Sequence, residues 1–402
     1  MHRGPSSLVP SFLLRAALPA LLAACDAPAL TDAGPDAGER VDAPRLDTPD
    51  AFRFDAGPVI GEIYGEPGPH PVGNTRISMT DRTGARTLPV ELWYPAVEEA
   101  RAAAAIGQPM EAFEAGTAHE AALAAMVAAS PASCLRGTMR SALDVEAAVT
   151  PALLPVVVFS HCHACTRFDI AEVCERLASH GIVVAAPDHV GNTAWDEPPA
   201  AVGSEFLAVR ASDVSSVLDR LLDASAAEVP ATLRGRIDPT RAAVMGHSFG
   251  AATTGLVVAS DPRFVAALAI AAPVRALGGL DAAELDVPYL FLLAQEDNSI
   301  GAAGNSLLRS DYAAVPGPAW LVEVADAGHW SFADIAGLGG EFTPGCAALD
   351  DRHPYLDNAE AREITSDVAM GFFAHTLLGQ ADGAAFLATA FWVGPARVAS
   401  RP

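Results

Sequence analysis

Gly246-His247-Ser248-Phe249-Gly250 sets a serine between two glycines, a spacing suited to nucleophilic catalysis. The apolar run Ala242–Met245 leads straight into it, and the small-residue segment Ala251-Ala252-Thr253-Thr254-Gly255 follows, so a buried strand is expected to pass into a helix here. A turn that tight drives its middle residue into strained backbone geometry with Oγ exposed. Flanking glycines let neighbouring backbone approach where a side chain would clash. A serine hydroxyl is a weak nucleophile at neutral pH. It needs a base to take its proton and a carboxylate to orient that base.

In an elbow of this kind the chain order is serine, then acid, then histidine. His329 is the expected base, in Asp326-Ala327-Gly328-His329-Trp330-Ser331-Phe332 just past a predicted strand. His353, beside a proline, and His375, within a predicted helix, are the weaker choices. Asp297 is the expected acid because it follows the apolar run Tyr289–Leu293, and Glu296 and Asp281 are its alternatives. An acyl transfer also needs donors for the developing oxyanion. The backbone N–H after the nucleophile, Phe249, supplies one. The loop Ser160-His161-Cys162-His163-Ala164-Cys165 supplies the second, with His163 favoured over Cys162. Trp330 and Trp195 are candidates to line a substrate pocket, with ordinary packing as the alternative.

Cys162-His163-Ala164-Cys165 also has the spacing of a redox or metal motif, with His161 and His163 as further ligands. A structural disulfide is the favoured reading. Cys134, Cys162, Cys165, Cys174 and Cys346 form an odd set once Cys25 is set apart, so at least one thiol lacks a partner within the chain.

Strands and helices alternate around these residues. Thr75–Met79 and Thr87–Trp93 read as paired antiparallel strands joined at Asp81-Arg82-Thr83-Gly84. Val156–Phe159, Ile182–Ala186, Ala242–Met245, Val265–Ile270, Tyr289–Leu293 and Leu321–Val324, the last strand expected, read as buried strands of a mostly parallel sheet. Predicted helices cover about Phe168–Ser179, Ser204–Ala224 and Ala359–Leu378, with another starting at Phe249. The alanine-rich 96–150 is expected as a helical insertion or cap.

The chain has 402 residues, 25 basic and 49 acidic side chains, a net charge of −24 and no lysine. So acidic a surface repels phosphate backbones and argues against nucleic-acid binding. Residues 1–25 read as a signal segment, with His2, Arg3 and Arg15 before the apolar run Ala16–Ala24. Leu22-Ala23-Ala24-Cys25 resembles a bacterial lipobox, which implies lipidation at Cys25 and anchorage at the cell envelope. Residues 26–58 alternate aspartates with Ala, Pro and Gly and are expected to be a disordered tether to a catalytic domain over 59–402.

Together, Phe159-Ser160-His161 with its following loop, Leu177-Ala178-Ser179-His180-Gly181-Ile182-Val183-Val184-Ala185-Ala186, Gly246-His247-Ser248-Phe249-Gly250 and His329-Trp330-Ser331-Phe332-Ala333-Asp334 make the chain resemble the α/β-hydrolase superfamily. The likeness is greatest to platelet-activating-factor acetylhydrolase and dienelactone-hydrolase-like esterases. It implies an α/β-hydrolase fold and a Ser248–His329–Asp297 esterase forming an acyl-enzyme on short-chain esters, with no metal or organic cofactor. The chain departs from these relatives in three ways. The acid is absent from Ala269-Ile270-Ala271-Ala272-Pro273, and the Asp297 loop instead resembles that of cutinase-like polyester hydrolases. The oxyanion loop reads His161-Cys162-His163-Ala164 without its usual glycines. The elbow carries serine where dienelactone hydrolase carries cysteine. A thiol-redox or metal-handling lipoprotein is the reading from another class.

Overall fold

The computed structural model describes residues 64–131, 134, 136–275, 277, 279–340, 342, 353–389 and 395–401. The signal segment with Cys25, the tether over 26–58, and Cys346 lie outside these. The strands are β1 (Val72–Thr80), β2 (Thr87–Pro95), β3 (Ala142–Leu143), β4 (Leu154–Ser160), β5 (Val183–Pro187), β6 (Ile237–His247), β7 (Phe264–Ile270), β8 (Tyr289–Ala294), β9 (Ala319–Val324) and β10 (Ala396–Arg401). They form one sheet in the order β10-β9-β8-β7-β6-β4-β5-β2-β1-β3. The stretch from β5 through β4, β6, β7 and β8 to β9 is parallel. β1–β2, β2–β5 and β9–β10 pair antiparallel.

The central strands are buried on both faces because their residues alternate between two cores. Val157 and Phe159 of β4, Ala243 and Met245 of β6, and Leu268 and Ile270 of β7 face one core. That core is closed by helices α3 (Ala171–Ser179) and α7 (Asn358–Thr376), with α8 (Ala381–Thr389) behind α7. Val156, Val158, Ala242, Val244, Ala267 and Ala269 face the other. It is closed by α4 (Ser204–Leu222), α5 (Phe249–Ser260) and α6 (Gly301–Ala314). On α4 the buried Leu207, Val214, Val217, Leu218 and Leu221 recur at helical spacing and explain which side meets the sheet.

Two expectations need correction, and α6 and α8 have no counterpart among the predicted helices. Leu321–Val324 is not the last strand: β10 follows and pairs with β9. Its Arg397, Ser400 and Arg401 suit an edge strand, and so mask it in the sequence. Second, among the described residues of 96–150, helix is confined to α1 (Arg101–Ile106), α2 (Glu120–Ala129) and two short 3-10 turns, and β3 follows them.

A buried arginine ties this insertion to the sheet. Arg167 pairs with Glu91 of β2 (3.0 Å), Glu114 of the insertion (2.6 Å) and Asp188 after β5 (2.9 Å), and donates to the Phe113 carbonyl. Phe113 stacks on Phe168 with centroids 4.7 Å apart. Burial pushes the Glu91 and Asp188 carboxyls above their ordinary range, with Arg167 opposing. Arg167→Met strands three buried carboxylates and is expected to cost roughly 3–5 kcal/mol of stability. Denaturant unfolding measures it, and an unchanged midpoint contradicts it.

Candidate active site

Each residue expected to do chemistry sits where a parallel strand ends at its carboxyl edge. Ser248 follows β6, Asp297 follows β8, His329 follows β9, and the Cys162–Cys165 loop follows β4. In open α/β sheets that edge is where ligands are met.

Ser248 has φ 56° and ψ −115°, and its N–H donates to the Ile270 carbonyl of β7 at 2.8 Å. A non-glycine residue held there stores about 1–3 kcal/mol of strain. The neighbouring glycines make the turn possible. A Cβ at Gly246 would fall on the Gly250 carbonyl, and one at Gly250 would fall on the Ser160 carbonyl. Helix α5 starts at Phe249, so its first N–H groups lack intrahelical partners and its positive end faces the serine.

His329 Nε2 lies 2.8 Å from Ser248 Oγ, and His329 Nδ1 lies 2.7 Å from Asp297 Oδ2. Asp297 Oδ1 accepts the Ser299 and Ile300 N–H groups at 2.8 Å each. Burial pushes the Asp297 carboxyl up, but His329 and these two N–H groups outweigh it and hold it below its usual range. Asp297 therefore stays a carboxylate at neutral pH, and Nδ1 must carry the proton it faces. That leaves Nε2 with a lone pair toward the hydroxyl. The alternatives lie elsewhere. Glu296 is exposed, Asp281 caps a 3-10 turn through the Ala283 N–H, His353 pairs with Asp326, and His375 packs on Trp320.

The oxyanion candidates divide. Cys162 N–H is taken by Asp169 Oδ2 at 3.3 Å, whereas His163 N–H has no protein partner among the described residues. Cys162 and Cys165 form a disulfide that brackets His163, and Cys174 is a free, buried thiol. The metal arrangement drawn from this motif does not assemble. The sulfurs are joined, His161 Nδ1 meets the Cys162 carbonyl at 2.7 Å, and His161 Nε2 accepts the His189 N–H at 3.0 Å. Trp330 sets its ring edge-on to His329, centroids 4.7 Å apart, while Trp195 stacks on His119 of the insertion at 4.8 Å.

Beneath the loop runs a buried network that the sequence reading missed. Ser160 Oγ lies 2.9 Å from His189 Nε2, and His189 Nδ1 lies 3.0 Å from Asp213. This copies the connectivity of the upper triad, but Ser160 is fully buried. Arg210 donates to Ser160 Oγ (3.2 Å), the His161 carbonyl and Asn192 (2.7 Å), and its guanidinium covers the Phe249 ring at 4.6 Å. Burial, then Arg210, hold His161 and His189 well below the usual imidazole range, and burial pulls Arg210 itself down to about 9. The position of Asp188-His189 right after a buried strand was the available signal.

The mostly parallel sheet with its flanking helices is that of the α/β-hydrolase fold. The family model described as platelet-activating factor acetylhydrolase, isoform II, matches residues 62–197. A second, described as PET hydrolase-like, matches 146–330. The chain is 40% identical to cutinase est2 of Thermobifida alba over 104 residues, 26% of this chain and 29% of that protein. It is 27% identical to bovine platelet-activating factor acetylhydrolase over 175 residues, 34% of this chain and 39% of that protein. The matches thus span less than half the length of these relatives. Among solved structures, a ferulic acid esterase from Streptomyces cinnamoneus is similar with a TM-score of 0.58 and 23% identity, covering 77% of this chain and 91% of that one.

Gly250→Ala would press a methyl group into the Ser160 and His161 carbonyls, so it is expected to lose about 1–3 kcal/mol of stability. A melting temperature equal to the parent's contradicts the close approach.

Proposed function

We propose that the protein is a serine-dependent carboxylic ester hydrolase. The observation that carries this is the continuous chain Asp297–His329–Ser248, closed at 2.7 and 2.8 Å on a serine at the head of a helix. Ser248 Oγ attacks the ester carbonyl carbon while His329 Nε2 takes its proton. The oxyanion that forms is met by the Phe249 and His163 N–H groups. His329 returns the proton to the leaving alcohol, and the C–O bond breaks to give an acyl-Ser248. Water, deprotonated by the same imidazole, then attacks the acyl carbon and frees the carboxylic acid and the serine. Asp297 holds the Nδ1–H tautomer and offsets the imidazolium charge in both halves.

Short-chain acyl esters are the substrate class we favour. A second reading, a cutinase-like polyester hydrolase, draws support from the PET hydrolase-like match, which spans all three triad residues, whereas the acetylhydrolase match stops at 197. No helix among the described residues is long and apolar enough to cross a membrane. The lipobox-like segment ending in Cys25 supports export and lipid anchorage at the cell envelope. Labelled palmitate should appear in the expressed full-length chain and vanish in Cys25→Ser. Equal incorporation by both removes the anchor.

With p-nitrophenyl acetate, Ser248→Ala and Asp297→Asn are each expected to lose roughly four orders of magnitude in kcat, while Glu296→Gln keeps most of it. Turnover that survives in Ser248→Ala refutes the assignment. Product release from a polyester film, compared with release from soluble acetyl and butyryl esters, separates the two substrate readings.

A further inference from the structure

The histidine inside the elbow, His247, takes no part in those proton transfers, yet both its ring nitrogens face oxygen acceptors. Nδ1 lies 3.0 Å from Asp169 Oδ2, and Nε2 lies 3.0 Å from the main-chain carbonyl of His329. A carbonyl oxygen only accepts, so Nε2 carries a hydrogen. The Nδ1···Oδ2 contact needs one more proton, and a carboxylic acid gives its proton up to an imidazole. His247 and Asp169 are both fully buried, where a lone carboxylate is costly and a matched cation offsets it. Asp169 Oδ2 also takes the Cys162 N–H, and the other Asp169 oxygen has no partner.

We infer that His247 is an imidazolium held by Asp169, and that this ion pair is a positioning device for the catalytic loops. The cationic ring fixes the main chain of His329 through a charge-assisted hydrogen bond, while Asp169 fixes Cys162 of the oxyanion loop. One buried pair thus ties the elbow, the base loop and the oxyanion loop together. The other groups near the ring are the His329 imidazole (centroids 5.3 Å), the Trp330 edge (5.5 Å) and, further off, the Asp297 carboxylate. Burial pulls the His247 pKa down, but Asp169, the His329 carbonyl and Asp297 outweigh it and leave it above the ordinary value. The effect on rate rests on the esterase reading; the charge on the ring does not.

NMR of the histidine ring nitrogens in the full-length protein tests this, with the His247 signals assigned by their loss in His247→Gln. Both nitrogens should be protonated at neutral pH and beyond the range of an ordinary imidazole. In Asp169→Asn the ring should become neutral at neutral pH. That variant should also lose roughly tenfold to a hundredfold in kcat on p-nitrophenyl acetate with little change in KM, as expected of a displaced base. A neutral His247 in the parent protein overturns the inference, and so does a folded Asp169→Asn that keeps full kcat. If Asp169→Asn does not fold, the parent spectrum still decides the charge. A protonated ring in a parent protein that cleaves no ester leaves the ion pair standing and defeats the esterase reading instead.

Discussion

One backbone constraint organises the site: the chain must reverse from β6 into α5 around a serine held at φ 56°. Everything near it follows from that turn. Gly246 and Gly250 carry no side chain because carbonyls occupy the space. The serine is left at the positive end of a helix, where negative charge is favoured. Its hydroxyl leaves the sheet at the edge where the loops after β4, β8 and β9 also end. The parallel strand order brings these loops together although they are distant in sequence.

The polar groups under this edge are arranged to keep protons in fixed places. Asp297 stays charged because two main-chain N–H groups and His329 outweigh its burial. His189 and His161 stay neutral beside Arg210. His247 answers Asp169. The three buried histidines differ because Arg210 adds to the effect of burial at His161 and His189, whereas Asp169 outweighs burial at His247. The disulfide acts in the same region by covalent means, closing the four-residue loop that carries the His163 N–H. The His161-Cys162-His163-Ala164 loop, which has no glycine, is thus held by a cross-link and buried hydrogen bonds.

Much of this was legible in the sequence because it depends on local patterns. Unbroken apolar runs announce strands covered on both faces, and Ser248, Asp297 and His329 each follow such a run. Asp297 could be separated from Glu296 only by direction: it meets His329, whereas its neighbour turns toward solvent. Of the lower network only the position of His189 after a buried strand was legible, since Asp213 and Arg210 look like ordinary helix polar residues until the fold buries them. β10 was hidden by its arginines. The insertion was over-read as helix because alanine content reports propensity, whereas Arg167 and its three carboxylates determine where the segment lies. The pairing of Cys162 with Cys165, rather than metal ligation, is likewise a matter of geometry.

The central claim is that His329 activates Ser248 as a nucleophile. Its most direct test is reaction with a fluorophosphonate followed by mass mapping of the peptides. A single covalent adduct on the peptide containing Ser248, strongly slowed in His329→Gln, is the predicted result. An unmodified Ser248, or an adduct that forms as fast without the imidazole, contradicts the account.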